Sequence, residues 1–418
     1  MLQEIRDILI LQKREIETRL KEKYIERKTN ITLNNNIIKV IIGPRRAGKS
    51  FFAIHFLNTL GNFGYVNFDD EKLSEVQNYD EIVNAVNSVY SNPKYVLFDE
   101  IQNIPKWELF INRLQRQGYT VVITGSNSNL LSKELSTHLT GRHFLITIFP
   151  FSFREYLKLE DKELTSSEIQ EKLSHYLVHG GFPEPLVKGV DLKEYLSTLF
   201  NAIVYKDIVK RYKIRNVKEI EDLAYYLISN VTNEYSFNSL TKVSKIKSSH
   251  TTRKYLSYLE ESFILFSLSR FSYKVKEQLS SNKKIYCIDN GFIQAKAFTI
   301  SPDQGKLYEN VVACTLKKEE VAGGINVYYW KNQQQEEVDF VIKKGVQVEQ
   351  LIQVCYNVKN LGTKNREIRA IIKAGKELQC KNLLIITEDK EGKEKVDWFG
   401  DKATIEFIPL WKWLLSKE

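Results

Sequence analysis

The chain opens on an amphipathic stretch. Within Met1–Asn30, Leu2, Ile5, Leu9, Ile16 and Leu20 recur at helical spacing among eight Lys/Arg and six Asp/Glu, which predicts a helix over residues 1–30. From Ile37 to about Phe149 the pattern changes. Short apolar runs at Ile37–Ile42, Tyr65–Asn67, Tyr95–Phe98, Thr120–Thr124 and Phe144–Ile148 alternate with helical patterns. This predicts a parallel sheet with helices on both faces, because a strand covered on both sides reads as one unbroken apolar run. From Ser152 to about Arg211 the spacing is helical, interrupted at Gly180-Gly181-Phe182-Pro183. Three helical stretches and a hairpin follow between Arg215 and about Gly291. The remainder is α/β again: a helix around Lys306–Lys317, strands at Asn326–Trp330, Glu337–Ile342 and Leu351–Tyr356, a helix, a strand at Asn382–Thr387, and a closing segment to Leu415. The chain shows no internal repeat and no low-complexity segment.

Composition narrows the class. The 418 residues suffice for two to four domains, and 43% hydrophobic with 27% charged residues is ordinary for a soluble globular protein. No apolar run reaches the ~18–20 residues of a membrane span. The N-terminus lacks the apolar core and small-residue cleavage site of a signal peptide. A cytoplasmic location without a membrane partner is therefore the expectation. Cys287, Cys314, Cys355 and Cys380 have no CxxC spacing and no neighbouring His, so neither a zinc site nor a disulfide framework is indicated. The net charge of +9 is mild for this length. Its position is more informative: residues 206–284 hold 16 Lys/Arg against 8 Asp/Glu, so nearly all of the excess falls on one segment. A polyanion partner would bind there.

The chemistry is concentrated earlier. Gly43-Pro44-Arg45-Arg46-Ala47-Gly48-Lys49-Ser50 fits G-x-x-x-x-G-K-[ST], between an apolar strand and a helical pattern that opens at Phe51. Glycines let the backbone N–H groups curl toward phosphate oxygens, and the helix N-terminus adds a positive dipole end. Lys49 would bridge the β- and γ-phosphates, and Ser50 would ligate Mg²⁺. Four apolar residues at Tyr95–Phe98 then deliver Asp99-Glu100 to the sheet edge where open α/β folds bind nucleotides. Asp99 would complete the Mg²⁺ shell and Glu100 would activate or orient the attacking water, which implies hydrolysis of ATP. The next strand ends in Thr124, Ser126 and Asn127, candidates for sensing the γ-phosphate, of which Ser126 is preferred. Arg142 follows a short helical segment and is a candidate arginine finger, a role that would require a homo-oligomer.

Together with Leu139-Thr140-Gly141-Arg142 and Pro150-Phe151-Ser152-Phe153-Arg154-Glu155, these motifs resemble the archaeal and bacterial AAA-type ATPases of the signal-transduction (STAND-like) clade. The resemblance spans nearly the whole chain. It implies an α/β fold in five parts: an N-terminal helix over 1–30, a P-loop ATPase core over 31–151, a helical lid over 152–211, a winged helix over 212–292 and a degenerate restriction-endonuclease-like domain over 293–418. It also implies that Pro183, in Gly181-Phe182-Pro183, reaches the nucleotide from the lid.

The basic segment coincides with the winged helix. Ser236–Ile246 reads as a short helix and turn, and Ser249–Phe263 as a recognition helix whose opening turn offers Thr251, Arg253 and Lys254 to DNA. A hairpin from Leu265 to Ile288 would be the wing, presenting Arg270, Lys274, Lys276, Lys283 and Lys284 to phosphates. In the C-terminal part Glu309 and Asp339 match nuclease acids, yet the expected Glu-x-Lys reads Gln353-Val354-Cys355. Glu349 lies roughly 13 Å along the same strand, too far for one metal site. This part is therefore expected to contact nucleic acid or a partner without cleaving. Three readings result: an ATP-hydrolysing switch or motor coupled to DNA, a slow nucleotide-dependent protein scaffold, and an ATP-gated nuclease.

Overall fold

All five apolar runs of the N-terminal half become strands: β1 (Ile38–Ile42), β2 (Phe63–Asn67), β3 (Tyr95–Asp99), β4 (Thr120–Gly125) and β5 (His143–Thr147). They pair in parallel in the order β2-β3-β4-β1-β5. β1 and β4 are buried at every position, which is why their sequence shows no alternation. Their neighbours in the core are the helices Lys49–Asn58, Tyr79–Val89 and Trp107–Arg116, through residues such as Phe52, Ile54, Ile82, Phe110 and Leu114. The strand order sets the C-terminal ends of β1, β3 and β4 side by side. These are the ends that carry the P-loop, Asp99 and Thr124.

This is a computed structural model, which describes residues 2–29, 31, 37–126, 143–298, 303–398 and 400–417. Their contacts form two compact units, Met1–Pro150 with Glu261–Phe263, and Phe151–Glu260 with Ile264–Glu418. Among the described residues no helix is long and apolar enough to cross a membrane.

The N-terminal helix is shorter than its amphipathic pattern predicts. It spans Leu2–Arg19 and buries Ile5, Leu9 and Ile16, while Lys23–Thr29 have no regular structure. Tertiary contacts override helix propensity here. Tyr24 stacks on His55, with ring centroids 4.0 Å apart, and Arg27 (8% exposed) donates to the carbonyls of Ala47 and Phe149 at 2.6 and 2.9 Å. The helix itself guards the sheet edge at β2. The Gln12 side chain accepts from the Asn67 N–H at 2.9 Å and donates to the Asn67 carbonyl at 3.1 Å, taking the place of a neighbouring strand.

The second unit begins with helices Phe153–Leu157, Ser166–His179, Pro183–Lys188 and Leu192–Ala202, the last continuing as a π-helix over Ile203–Lys210. Ser152 and Thr165 start two of them with complete capping boxes. Helices Val217–Ser229, Phe237–Val243 and Ser249–Glu261 follow. They accompany an antiparallel sheet of β6 (Glu234–Tyr235), β7 (Leu265–Ser269) and β8 (Lys283–Cys287), in the order β6-β8-β7. The expected hairpin is β7–β8, with a short helix, Val275–Ser280, at its tip. After helix Gln304–Ala322 a separate mixed sheet forms from β9 (Asn326–Lys331), β10 (Glu337–Lys344), β11 (Gln347–Val354), β12 (Leu383–Thr387), β13 (Gly392–Trp398) and β14 (Asp401–Pro409). Its order is β13-β14-β12-β11-β10-β9. The β13–β14 hairpin lies in the closing segment that the sequence pattern does not divide, because charged residues there dilute the strand signal.

Candidate functional site

The glycine-rich turn between β1 and helix Lys49–Asn58 is tightly seated. A Cβ added at Gly43 would collide with the Ile148 carbonyl oxygen, so a side chain there would push the turn out of place. Lys49 is 4% exposed, and its Nζ donates to the carbonyls of Gly43 and Pro44 at 3.1 and 3.0 Å. Pro44 and Ala47 are buried, Arg45 is half-buried, and exposed Arg46 turns the loop with φ 65°. Phe51 packs on the ring of His55, the centroids 4.6 Å apart.

β3 delivers Asp99, 3% exposed, beside Ser50. Asp99 Oδ1 accepts from the Ser50 hydroxyl at 2.8 Å and also from the Thr124 hydroxyl on β4. Asp99 Oδ2 accepts from the Tyr65 hydroxyl on β2 at 2.9 Å. Burial first, and then the Asp99 charge, hold the Tyr65 phenol well above its ordinary pKa, so it remains a donor. Glu100 leaves the strand with φ 52°, a left-handed conformation that non-glycine residues rarely adopt. Its N–H donates to Thr124 Oγ1 at 3.1 Å, and its carboxylate accepts from Gln102 Nε2. Burial raises the Glu100 pKa against the pull of Lys49.

The structure thus brings Lys49, Ser50, Asp99 and Glu100 together as the spacing predicts. Among the three candidate sensors, the hydroxyl joining Asp99 to Glu100 belongs to Thr124. Ser126 is buried at the end of β4, and Asn127 and Arg142 lie outside the described residues. A hydroxyl beside a carboxylate is an oxygen set suited to Mg²⁺, and an ammonium at a helix N-terminus suits phosphate, so these residues fit a nucleotide with its metal. Tyr65 and Arg27 were not singled out from the sequence, since a strand tyrosine and a lone arginine carry no spacing signal.

Other expected contacts lie in the second unit. Pro183 is the first residue of its helix, directly after buried Phe182. The preceding glycines serve close packing: Gly181 N–H donates to Asp289 Oδ2 at 2.7 Å, and a Cβ on Gly180 would overlap that carboxyl group. Burial pushes Asp289 up to about 6. Arg253 and Lys254 are exposed on helix Ser249–Glu261, with the Arg253 guanidinium 4.0 Å from the Phe237 ring centroid. Thr251 is half-buried and bonds to Ser248 at 3.0 Å. Lys274 and Lys276 are exposed, and Lys274 pairs with Glu277 at 3.0 Å.

Two basic residues expected on the surface of the β7–β8 hairpin require correction. Lys284 does not face solvent. It is 3% exposed, and its ammonium lies 2.8 Å from Glu309, 2.7 Å from Glu337 and 3.1 Å from Asp339. β8 is buried from Lys284 to Cys287, so neither face of the strand at Lys284 is open to solvent. Arg270 likewise turns inward and donates to the Lys331 carbonyl. Burial opposes the Lys284 charge, but Glu309, Tyr286, Asp339 and Glu337 outweigh it and hold its pKa well above the ordinary value. Burial and the charge of Asp339 push Glu309 up to about 8. Gln353 is held between two acids. Its Oε1 accepts from the Asp339 N–H at 3.1 Å and its Nε2 donates to Glu367 at 2.6 Å.

Comparison with known proteins agrees with the nucleotide-site geometry. Residues 35–157 match an AAA domain, residues 170–303 a domain of unknown function (DUF8612) and residues 304–413 another (DUF4143). The chain is 36% identical to the uncharacterized protein MJ1544 of Methanocaldococcus jannaschii, over 96% of this chain and 93% of that protein. It is 29% identical to an uncharacterized protein of Haemophilus influenzae over 81% of this chain and 87% of the other. Among solved structures it resembles the Walker-type ATPase PABY2304 of Pyrococcus abyssi, with TM-score 0.41 and 14% identity over 68% of this chain and 93% of that one. With a relative matched almost end to end, the chain belongs to one family with the uncharacterized protein MJ1544, and it carries an AAA domain over residues 35–157.

Proposed function

We propose that the protein is an ATP-hydrolysing switch or motor that couples its nucleotide state to DNA. The observation that carries this reading is the convergence of Ser50, Asp99, Thr124 and Glu100 at one sheet edge beside Lys49. Bound Mg·ATP would supply the scissile phosphoanhydride and a metal that neutralises charge developing on the phosphates. Lys49, which rests on two loop carbonyls, would bind phosphate oxygens, and Ser50 and Asp99 would hold the metal. Glu100 orients the attacking water and accepts its proton, and its raised pKa brings its basicity closer to working pH. Thr124 donates to the Asp99 carboxylate and accepts from the Glu100 backbone N–H, which ties the two positions together, and a trans-acting Arg142 would add charge stabilisation in an oligomer.

The helices Phe237–Val243 and Ser249–Glu261 with the β6-β8-β7 sheet support a winged-helix reading, and exposed Arg253, Lys254 and Lys276 support a phosphate contact. The C-terminal sheet is read as a restriction-endonuclease-like module without cleavage activity, because Lys284 occupies its acids and Gln353 is committed to Asp339 and Glu367. A specific observation favours the second reading, a protein scaffold: Lys284 and Arg270 are spent on internal contacts and Lys274 on Glu277, which reduces the basic surface.

The test is turnover of wild type and Glu100→Gln with and without duplex DNA at two salt concentrations. The DNA-coupled ATPase predicts stimulation that fades with salt, and a variant that binds ATP but turns over at least about a hundredfold more slowly. Indifference to DNA selects the scaffold, and unchanged turnover in Glu100→Gln removes Glu100 from its role.

A further inference from the structure

We propose that Tyr65 is a positioning residue of the nucleotide site: its hydroxyl sets the orientation of the Asp99 carboxylate toward the metal. The inference rests on the ATPase reading and adds to it a residue outside every motif. Asp99 Oδ1 accepts two hydroxyls, Ser50 from the helix after the P-loop and Thr124 from β4. The χ2 torsion of aspartate is broad and moves both oxygens together, so donors on Oδ1 alone restrain it from one side only. Among the described residues, Tyr65 is the donor on Oδ2, at 2.9 Å. Three hydroxyls from three elements thus restrain that torsion from both oxygens.

The location supports the assignment. β2 lies beside β3, with Tyr65 opposite Leu97 and Asn67 opposite Asp99. The phenol therefore has to reach along the strand, past one residue pair, to meet Asp99. A tyrosine has that length and a phenylalanine supplies the same ring without the donor. The Tyr65 side chain is 2% exposed, so water cannot readily replace the lost hydroxyl. Gln12 holds the end of β2 through both backbone groups of Asn67, which keeps the strand in register beside β3. A carboxylate that must meet a metal shell gains from such pre-orientation, since a ligand free to rotate has to be ordered when the metal arrives.

The experiment uses the full chain and Tyr65→Phe, with a fluorescent ATP analogue titrated without metal and then over a Mg²⁺ series. The metal-free affinity should match wild type within about twofold. The Mg²⁺ concentration that half-completes the metal-induced tightening should rise about tenfold, the effect of one lost hydrogen bond to a charged group. Turnover at saturating Mg²⁺ should stay within about threefold of wild type. Thermal melting of the same samples separates a structural role, which would weaken metal-free and metal-bound affinity together. Identical Mg²⁺ curves for the two proteins overturn the role of Tyr65 and leave the ATPase reading intact. A wild-type chain that binds no nucleotide at any Mg²⁺ concentration overturns both.

Discussion

Lys49 and Lys284 are buried to nearly the same degree, 4% and 3% exposed, and each stands close to acids. Their immediate partners differ. Lys49 rests on two carbonyls of its own loop, while the adjacent Asp99 is satisfied by hydroxyls from Ser50, Thr124 and Tyr65. Lys284 is in contact with Glu309, Glu337 and Asp339 at once. Neutral acceptors can be exchanged for phosphate oxygens at modest cost, whereas an ammonium surrounded by three carboxylates in a low-dielectric interior is held in place. The same ingredients, a lysine and paired acids, make a ligand site in one region and a structural joint in the other. What separates them is which polar groups the fold leaves available.

The largest expected effect comes from breaking the joint. Lys284→Ala removes the cation shared by buried Asp339 and half-buried Glu309 and Glu337, and should cost about 3–5 kcal/mol of stability. Urea unfolding should show this loss, with nucleotide affinity unchanged; a variant as stable as wild type would abolish the contrast. Lys49→Ala should do the reverse. Nucleotide affinity should fall at least about a hundredfold, near 2.7 kcal/mol, while the melting midpoint stays within a few degrees. A smaller effect concerns protons. Glu309 sits at about 8 in the fold against an ordinary 4.5, so the folded chain binds this proton more tightly than the unfolded one. Its stabilising contribution is complete below pH ~4.5 and is lost as pH rises toward 8. Glu309→Gln should flatten that slope in urea midpoints taken from pH 5 to 8, and an equally steep slope would assign the dependence elsewhere. The smallest is Gln12→Ala, which unpairs two backbone groups on β2 and should cost about 1–2 kcal/mol by the same urea measurement.

Legibility followed the same division. The P-loop could be read because its chemistry depends on contiguous residues, and Asp99-Glu100 because four apolar residues place them at a strand end. The hairpin between Leu265 and Ile288 was read in its strands and misread at Arg270 and Lys284. The pattern finds β8, but it does not say that Lys284 faces Glu309 and Asp339, which follow it by 25 and 55 residues. The helix expected over 1–30 stops at Arg19 because Tyr24 and Arg27 have partners near the P-loop that amphipathic spacing cannot reveal.

By itself, the sequence determined the parallel five-stranded sheet, the phosphate-binding turn and the two acids beside it. All of these depend on short-range periodicity and spacing, which the local backbone enforces. Only the tertiary structure decided that Tyr65 and Thr124 complete the hydrogen bonds of Asp99, that Lys284 is a joint, and that Gln353 is committed to Asp339 and Glu367. The physical reason is that a buried polar group must find a partner wherever the chain brings one, and that partner can lie at any separation in sequence.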